Sequence, residues 1–405
     1  MIQQFTLPNG LRLVHQFKDS PVAHVGLFIH TGSRDELENE HGLAHFIEHT
    51  IFKGTEKRNV YQILNRLEHV GADLDAFTTK EETCVNATFL NEYYPRTLEL
   101  FSDIFFHSIF PQHELEKEKM VVADEIRSYL DSPAEQIFDD FEDLVFAGHA
   151  LGRNILGTVR SLKRFNREAI LKFIGRNYDT SQVVISSVGK IRFEKLCRLV
   201  EKHFNQRGGY REFSSRSLLE KIVPFRETRR KKVNQVHCIL GGWAYPFHDP
   251  RRLPMAVLNN LLGGPLMNSR LSLALRERHG LTYNNESSYT AYSDAGIISI
   301  YFGVEALQFE KAQNIVLKEL KRLREEKLST IQLQRVRKQV EGQLAISGES
   351  NMATMMAMGK SYLIQDRFDT IEMILQKIEK ITSEELLEIA NEVLREEGMG
   401  MLVYK

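Results

Sequence analysis

Hydrophobic positions recur along the chain at two periods, and the switches between them mark out its elements. Phe5, Leu7, Leu11 and Leu13 lie on either side of Asn9-Gly10, the strongest short-range signal for a β-hairpin. A second strand is predicted over 25–31 and a loop over 32–36. A helix is predicted over 60–70, where Val60, Ile63, Leu64 and Leu67 form one apolar stripe. Residues 82–90 alternate as a strand does, and 71–79 reads as its neighbour across a short turn. Helices follow over 93–106 and 112–130. Ser132-Pro133 breaks the second of these, the helical pattern resumes over 134–146, and the segment through Gly157 reads as a loop lying over the core. A helix over 167–178, a strand over 182–188 and a helix over 193–204 close a first domain, 1–205.

Over 206–232 the periodicity dissolves. Gly208-Gly209, Ser214-Ser215 and Arg229-Arg230-Lys231-Lys232 predict a linker, with the basic run as a solvated turn. Beyond it the plan repeats. Residues 235–243 form a strand like 25–31, and 253–264 aligns without gaps on 43–54 at an offset of 210. A helix over 270–280, strands over 283–292 and 296–304, and long helices over 309–325 and 330–346 follow. A last helix opened by the capping box Thr382-Ser383-Glu384-Glu385 and a strand over 400–404 complete a second domain, 233–405. The methionines of 352–358 read as adaptable core. The prediction is an α+β fold of two similar α/β-sandwich halves, each a mixed sheet with helices on one side, joined by the linker.

Bulk properties narrow the function classes. A chain of 405 residues is long enough for two domains. Its formal net charge of −1 lacks the basic excess of a nucleic-acid binder. It holds no apolar run of about 18 residues, so no transmembrane helix and no membrane partner are expected. The first ten residues read as strand and turn rather than as a leader, which predicts a cytoplasmic protein. The three cysteines, Cys84, Cys197 and Cys238, are odd in number and widely spaced, and suggest neither a disulfide framework nor a cysteine zinc site.

The candidate chemistry lies in His41-Gly42-Leu43-Ala44-His45-Phe46-Ile47-Glu48-His49. On a helix, His45 and His49 sit one turn apart on one face and Glu48 points toward the same side. Two imidazoles so placed suit Zn²⁺, and a carboxylate beside them suits proton transfer from a water. A polar-faced surface helix is the alternative. A catalytic zinc needs a third protein ligand and an open position. Glu118 and Glu125, seven apart, share a face of the 112–130 helix. Glu125 lies in its least polar part, where an isolated carboxylate is costly unless paired or metal-bound. A solvated acidic face is the alternative here, and Asp124 is excluded because it points about 100° away.

These motifs, with Leu275-Arg276-Glu277-Arg278-His279-Gly280-Leu281-Thr282-Tyr283, resemble the inverted-zinc-motif metallopeptidases related to pitrilysin, insulysin and the mitochondrial processing peptidase. The resemblance runs over nearly the whole chain and is to the short, two-domain, bacterial type. It implies one Zn²⁺ per chain on His45, His49 and Glu125, Glu48 as the general base, and Glu118 as a carboxylate supporting the ligands. It implies an edge strand, Asp75-Ala76-Phe77-Thr78, to which substrate peptide adds by backbone hydrogen bonds, although the family usually carries Asn at the position of Asp75. It also implies that Arg276 and Tyr283 polarise the scissile carbonyl. The expected activity is zinc-dependent endopeptidase cleavage of short or unfolded peptides in a closed dimeric chamber. The expected partner is a second copy of the chain, with a heterodimer containing an inactive paralogue as the alternative. A non-enzymatic or regulatory subunit of a hetero-oligomeric processing or assembly complex is the runner-up; such relatives typically lose a ligand or the base, and this chain keeps all four residues.

Overall fold

Gly10 turns the first hairpin in the left-handed region, at φ +88°, and sends β1 (Ile2–Thr6) back antiparallel as β2 (Arg12–Phe17). The computed structural model describes residues 2–206, 216 and 223–405. The further strands are β3 (Val22–Ile29), β4 (Asp73–Thr78), β5 (Thr83–Leu90), β6 (Val183–Gly189), β7 (Arg226–Arg229), β8 (Val236–Trp243), β9 (Asn285–Ala291), β10 (Gly296–Val304) and β11 (Gly400–Tyr404). The helices of the first half are α1 (Leu43–Thr50), α2 (Val60–Glu68), α3 (Tyr94–His107), α4 (Gln112–Leu130), α5 (Pro133–Val145), α6 (Val159–Leu162), α7 (Arg167–Asn177) and α8 (Phe193–Phe204). Those of the second half are α9 (Arg252–Gly263), α10 (Phe309–Glu325), α11 (Thr330–Gly348), α12 (Asn351–Gln365), α13 (Ile371–Lys380) and α14 (Ser383–Val393). The helix expected over 270–280 is partly a π-helical turn, Ser272–Glu277.

The strands form two sheets, ordered β1-β2-β6-β3-β5-β4 and β7-β11-β8-β10-β9. Each is mixed: β2 runs parallel to β6 and β7 parallel to β11, while the other neighbours are antiparallel. Apart from β1 the two orders correspond strand for strand, as the 210-residue repeat leads one to expect. Alternation assigns the faces. Ala23, Val25, Leu27 and Ile29 of β3 pack with α2, α3 and α8, whereas Phe28, Cys84 and Val184 line the opposite face.

That opposite face is where the structure departs from the expected domains. The chain divides into two compact units, but not at one boundary near 205. Unit 1 comprises Met1–Arg127, Arg153–Arg216 and Ser347–Phe368; unit 2 comprises Ser128–Gly152, Ser217–Ile346 and Asp369–Lys405. The second face of each sheet is apolar and is covered by a helix from the other half of the sequence. In unit 1, α12 lays Met355, Met358 and Leu363 over Phe28, Cys84 and Val184. In unit 2, α5 lays Ile137, Phe141 and Val145 over Ile239, Ile297 and Leu402. Both sheets therefore carry helices on two sides, and 134–146 is a core helix of unit 2. Most of the expected linker, including Gly208-Gly209 and Ser214-Ser215, lies outside the described residues. Its end is no solvated turn: β7 pairs with β11, and Lys231 bonds Gln136 at 2.9 Å. No helix among the described residues is long and apolar enough to cross a membrane.

Candidate metal centre

The motif helix α1 starts at Gly42, at φ +91°, pressed so close to the chain at 156–157 that a Cβ would lie 2.7 Å from both Gly157 Cα and Leu156 O. Its free N–H groups are met by Glu36, which accepts from Gly42 N at 2.9 Å and Ala44 N at 2.8 Å. Complete burial pushes the Glu36 carboxyl up to about 8, against those two bonds and Arg153. Leu43, Ala44, Phe46 and Ile47 then bury against Leu115, Val122 and Ile126 of α4 and Ile170 and Phe173 of α7. This apolar contact brings Glu118 and Glu125 of α4 to the polar side of α1.

Three donors converge there. His49 Nε2 is 3.2 Å from His45 Nε2 and 3.3 Å from Glu125 Oε2, and His45 Nε2 is 3.8 Å from Glu125 Oε1. A tetrahedral ion with ligand bonds of about 2.0–2.2 Å spaces its ligands about 3.3–3.6 Å apart. The observed spacings bracket that range, and Glu125 Oε2 is a buried oxygen without a hydrogen-bond partner. Two imidazoles and a carboxylate are a zinc donor set, so the residues fit the ion. Among the described residues no other group of His, Cys, Asp or Glu comes together this way. Asp124 is exposed and pairs with Arg127.

Burial, with His49 adding to it, pulls His45 down to about 3 and leaves its ring neutral. His49 is also opposed by burial, but its hydrogen bond to Glu118 and the charges of Glu125, Glu48 and Glu118 raise it above its ordinary value. Glu118 Oε1 lies 3.1 Å from His49 Nδ1, so Glu118 orients that ring and is no member of the donor trio. Its other oxygen lies 2.7 Å from Lys53 Nζ. Burial pushes Glu118 up, but His49 and Lys53 outweigh it and hold the carboxyl below the usual range. Glu48 is pushed up to about 6 by burial; Thr78 and His49 pull it down while Glu125 and Asp75 push it further up.

Asp75, Ala76, Phe77 and Thr78, expected to meet substrate, lie in β4, which packs against α1 and is the edge of its sheet. One side of β4 pairs with β5, from Asp73 opposite Thr88 to Thr78 opposite Thr83. Arg276 and Tyr283 belong to unit 2. They line a cavity of about 430 Å³ with Asn259, Asn285 and Ser287, and Tyr283 is 86% exposed. Sequence reasoning missed Glu36 and Lys53. An acid shortly before a helix start is a recognised signal for the first, and the i,i+4 spacing from His49 is one for the second.

Two family profiles match the chain. That described as insulinase, peptidase family M16, matches residues 13–159, and that described as the peptidase M16 inactive domain matches 164–340. An uncharacterized zinc protease of Bacillus subtilis (strain 168), YmxG, is 33% identical over 402 residues, covering 98% of this chain and 97% of that protein. Another, from Streptomyces coelicolor, is 31% identical over 403 residues, covering 97% and 87%. In fold, the chain is similar to a protease from Helicobacter pylori, with a TM-score of 0.92 at 21% identity over 100% of this chain and 99% of that one.

Proposed function

The chain belongs to the M16 peptidase family, and on that premise we propose that it is a zinc-dependent endopeptidase cleaving short or unfolded peptides. The observation that carries the reading is the convergence of His45, His49 and Glu125 beside Glu48 and the edge strand β4. The two Nε2 atoms and a Glu125 oxygen would hold one ion per chain and leave a position open. When bound, Zn²⁺ supplies a Lewis acid that acidifies water and polarises a carbonyl. Glu48, a half-buried carboxyl beside the donors, takes the proton of the attacking water and returns it to the leaving amine. Glu118 holds the Nδ1 proton of His49, which keeps Nε2 free as a donor. β4 offers its outer backbone groups to an extended peptide, so recognition reads main chain more than sequence, and folded proteins are poor substrates.

The proposal extends to assembly. Arg276 and Tyr283 are suited to hold and polarise a carbonyl, and they lie in unit 2 while the donors lie in unit 1. In the proposed closed chamber a second copy contributes its Arg276 and Tyr283 to the first copy's zinc centre. A homodimer is favoured over pairing with an inactive paralogue because one chain carries both sets.

The test is hydrolysis of quenched peptides with and without chelator, beside zinc analysis. Glu48→Gln should retain zinc and lose hydrolysis, and His49→Ala should lose the metal. Full activity of Glu48→Gln would remove Glu48 from the mechanism. A wild-type chain that binds zinc but cleaves no peptide would favour the non-enzymatic subunit.

A further inference from the structure

Lys53 follows α1 directly, in a turn where its backbone N–H donates to Thr50 O at 3.0 Å. It stands four residues after His49, and Glu118 of α4 reaches between the two. One Glu118 oxygen is 2.7 Å from Lys53 Nζ and the other 3.1 Å from His49 Nδ1. The opposite nitrogen of that ring, Nε2, is the one facing His45 and Glu125. The result is a single chain of contacts: ammonium, carboxylate, imidazole, donor centre.

A carboxylate has two oxygens and can swing about its last bonds. Glu118 is largely buried, so each oxygen needs a partner. Lys53 occupies one, which leaves the other aimed at His49 Nδ1. That hydrogen bond selects the Nδ1–H tautomer and directs the Nε2 lone pair to the donor centre. We infer that Lys53 is a positioning residue of the zinc site, acting through Glu118 to set the tautomer and orientation of His49. The inference rests on the zinc reading above.

Two physical effects of Lys53 have opposite signs, and this makes the inference testable. As a mere neighbouring cation, Lys53 repels Zn²⁺, and its removal tightens zinc binding. As the anchor of Glu118 it preorganises a ligand, and its removal loosens zinc binding. Loss of a group supporting a ligand typically costs about 10–100-fold in metal affinity. Lys53 acts one contact further out, so the lower end, about tenfold, is expected.

The experiment titrates the full-length chain with zinc in competition with a chromophoric chelator. It compares wild type, Lys53→Met, Lys53→Gln, Lys53→Arg, Glu118→Gln and Lys53→Met/Glu118→Gln. The zinc Kd should rise about tenfold in Lys53→Met and Lys53→Gln and stay near wild type in Lys53→Arg, which keeps a donor to the carboxylate. In the Glu118→Gln background, Lys53→Met should add no further loss, because the path runs through that carboxylate. Once zinc is saturating, KM for a quenched peptide should be unchanged. Unchanged or tighter zinc binding in Lys53→Met and Lys53→Gln would overturn the inference while leaving the peptidase reading intact. So would an equal loss with and without the Glu118 carboxylate. A wild-type chain without zinc affinity would overturn both.

Discussion

Replacing Arg216 by leucine should destabilise unit 1 by about 3 kcal/mol. The figure follows from what the guanidinium holds. Its Nε and Nη2 donate to the two oxygens of Asp35, each at 3.0 Å. Nη1 donates to Glu81 Oε1 at 3.0 Å and lies 2.9 Å from His30 Nε2, and Nη2 also donates to the Glu81 backbone oxygen at 3.0 Å. The side chains of Arg216, Asp35 and Glu81 are 9%, 8% and 9% exposed. Deleting one partner of a buried ion pair costs about 3–5 kcal/mol, because the other charge is stranded. The lower end applies here: Glu81 keeps Arg34 at 2.7 Å and Asp35 keeps the Gly32 N–H at 2.9 Å. Fluorescence is the wrong assay, since the single tryptophan, Trp243, lies in unit 2. Hydrogen exchange of the β3 and β5 amides reads unit 1 directly, and the most protected of them should exchange roughly a hundredfold faster. Arg216→Leu/Asp35→Asn should recover part of the loss, because an amide strands no charge. Arg216→Lys should fall between, lacking the planar fork. A loss under about 1 kcal/mol in Arg216→Leu would refute the reasoning, for the pairs would then behave as solvent-exposed ones do.

Mixing His49→Ala chains with Tyr283→Phe chains, each nearly inactive alone, should restore up to about a quarter of wild-type activity if sites are shared across a homodimer; no recovery despite proven exchange would refute sharing. His15 is pulled by burial from an ordinary 6.5 to about 4, so the native state binds fewer protons than the unfolded chain between those values. Its contribution, at most about 3 kcal/mol, is complete above pH 6.5 and lost as pH falls toward 4, and His15→Gln should flatten urea stability across that window; an unchanged slope would refute the assignment. In Gly359→Ala the new Cβ would lie 2.2 Å from the Phe28 ring, so unit 1 should lose about 1–2 kcal/mol despite better helix propensity, and Phe28→Leu should recover it; a stabilised variant would contradict this packing of α12.

What was legible in the chain was what local spacing encodes. The i,i+4 and i,i+7 intervals put His45 and His49, and Glu118 and Glu125, on shared helix faces, and the structure brings both pairs to one place. The apolar strand runs, alternating only in β5, located β3, β5 and β8 to within a residue or two at most ends. What was not legible depends on partners distant in sequence. Nothing in Pro133–Val145 or Asn351–Gln365 says which sheet each helix covers; periodicity marks an apolar stripe, and tertiary packing chooses the surface. Arg-Glu-Thr-Arg has no apolar alternation because β7 is an edge strand with alternate residues exposed, so its pairing with β11 left no mark. Glu36 and Lys53 carry only generic local signals, an acid before a helix start and an i,i+4 spacing, while Arg216 looks like an ordinary charged position whose role comes from the Asp35 and Glu81 carboxylates that folding sets against it.

The two units show what one fold does with and without such a centre. At the 210-residue offset Met255 and Leu258 take the places of His45 and Glu48, and both are buried in the core of unit 2. Asn259 takes the place of His49; it donates to Ser287 O at 3.0 Å and accepts from Ser287 Oγ at 2.5 Å, tying α9 to the edge strand β9. Unit 2 thus has buried packing and a hydrogen-bonded Asn259 at the positions where unit 1 has converging donors. Donors that face one another without a cation are poorly compensated, since His45 is buried and Glu125 Oε2 lacks a hydrogen-bond partner. The two units should therefore differ in their response to metal. Saturating zinc at about a thousandfold over its Kd adds about 4 kcal/mol to the state that binds it. Chelation should remove that protection from the β3 and β5 amides of unit 1 and leave the urea transition of Trp243 in unit 2 within about 1 kcal/mol of its zinc-loaded value. Equal losses in both units would mean that the chain unfolds as a single cooperative body, and no loss in either would mean that unit 1 is stabilised without the ion.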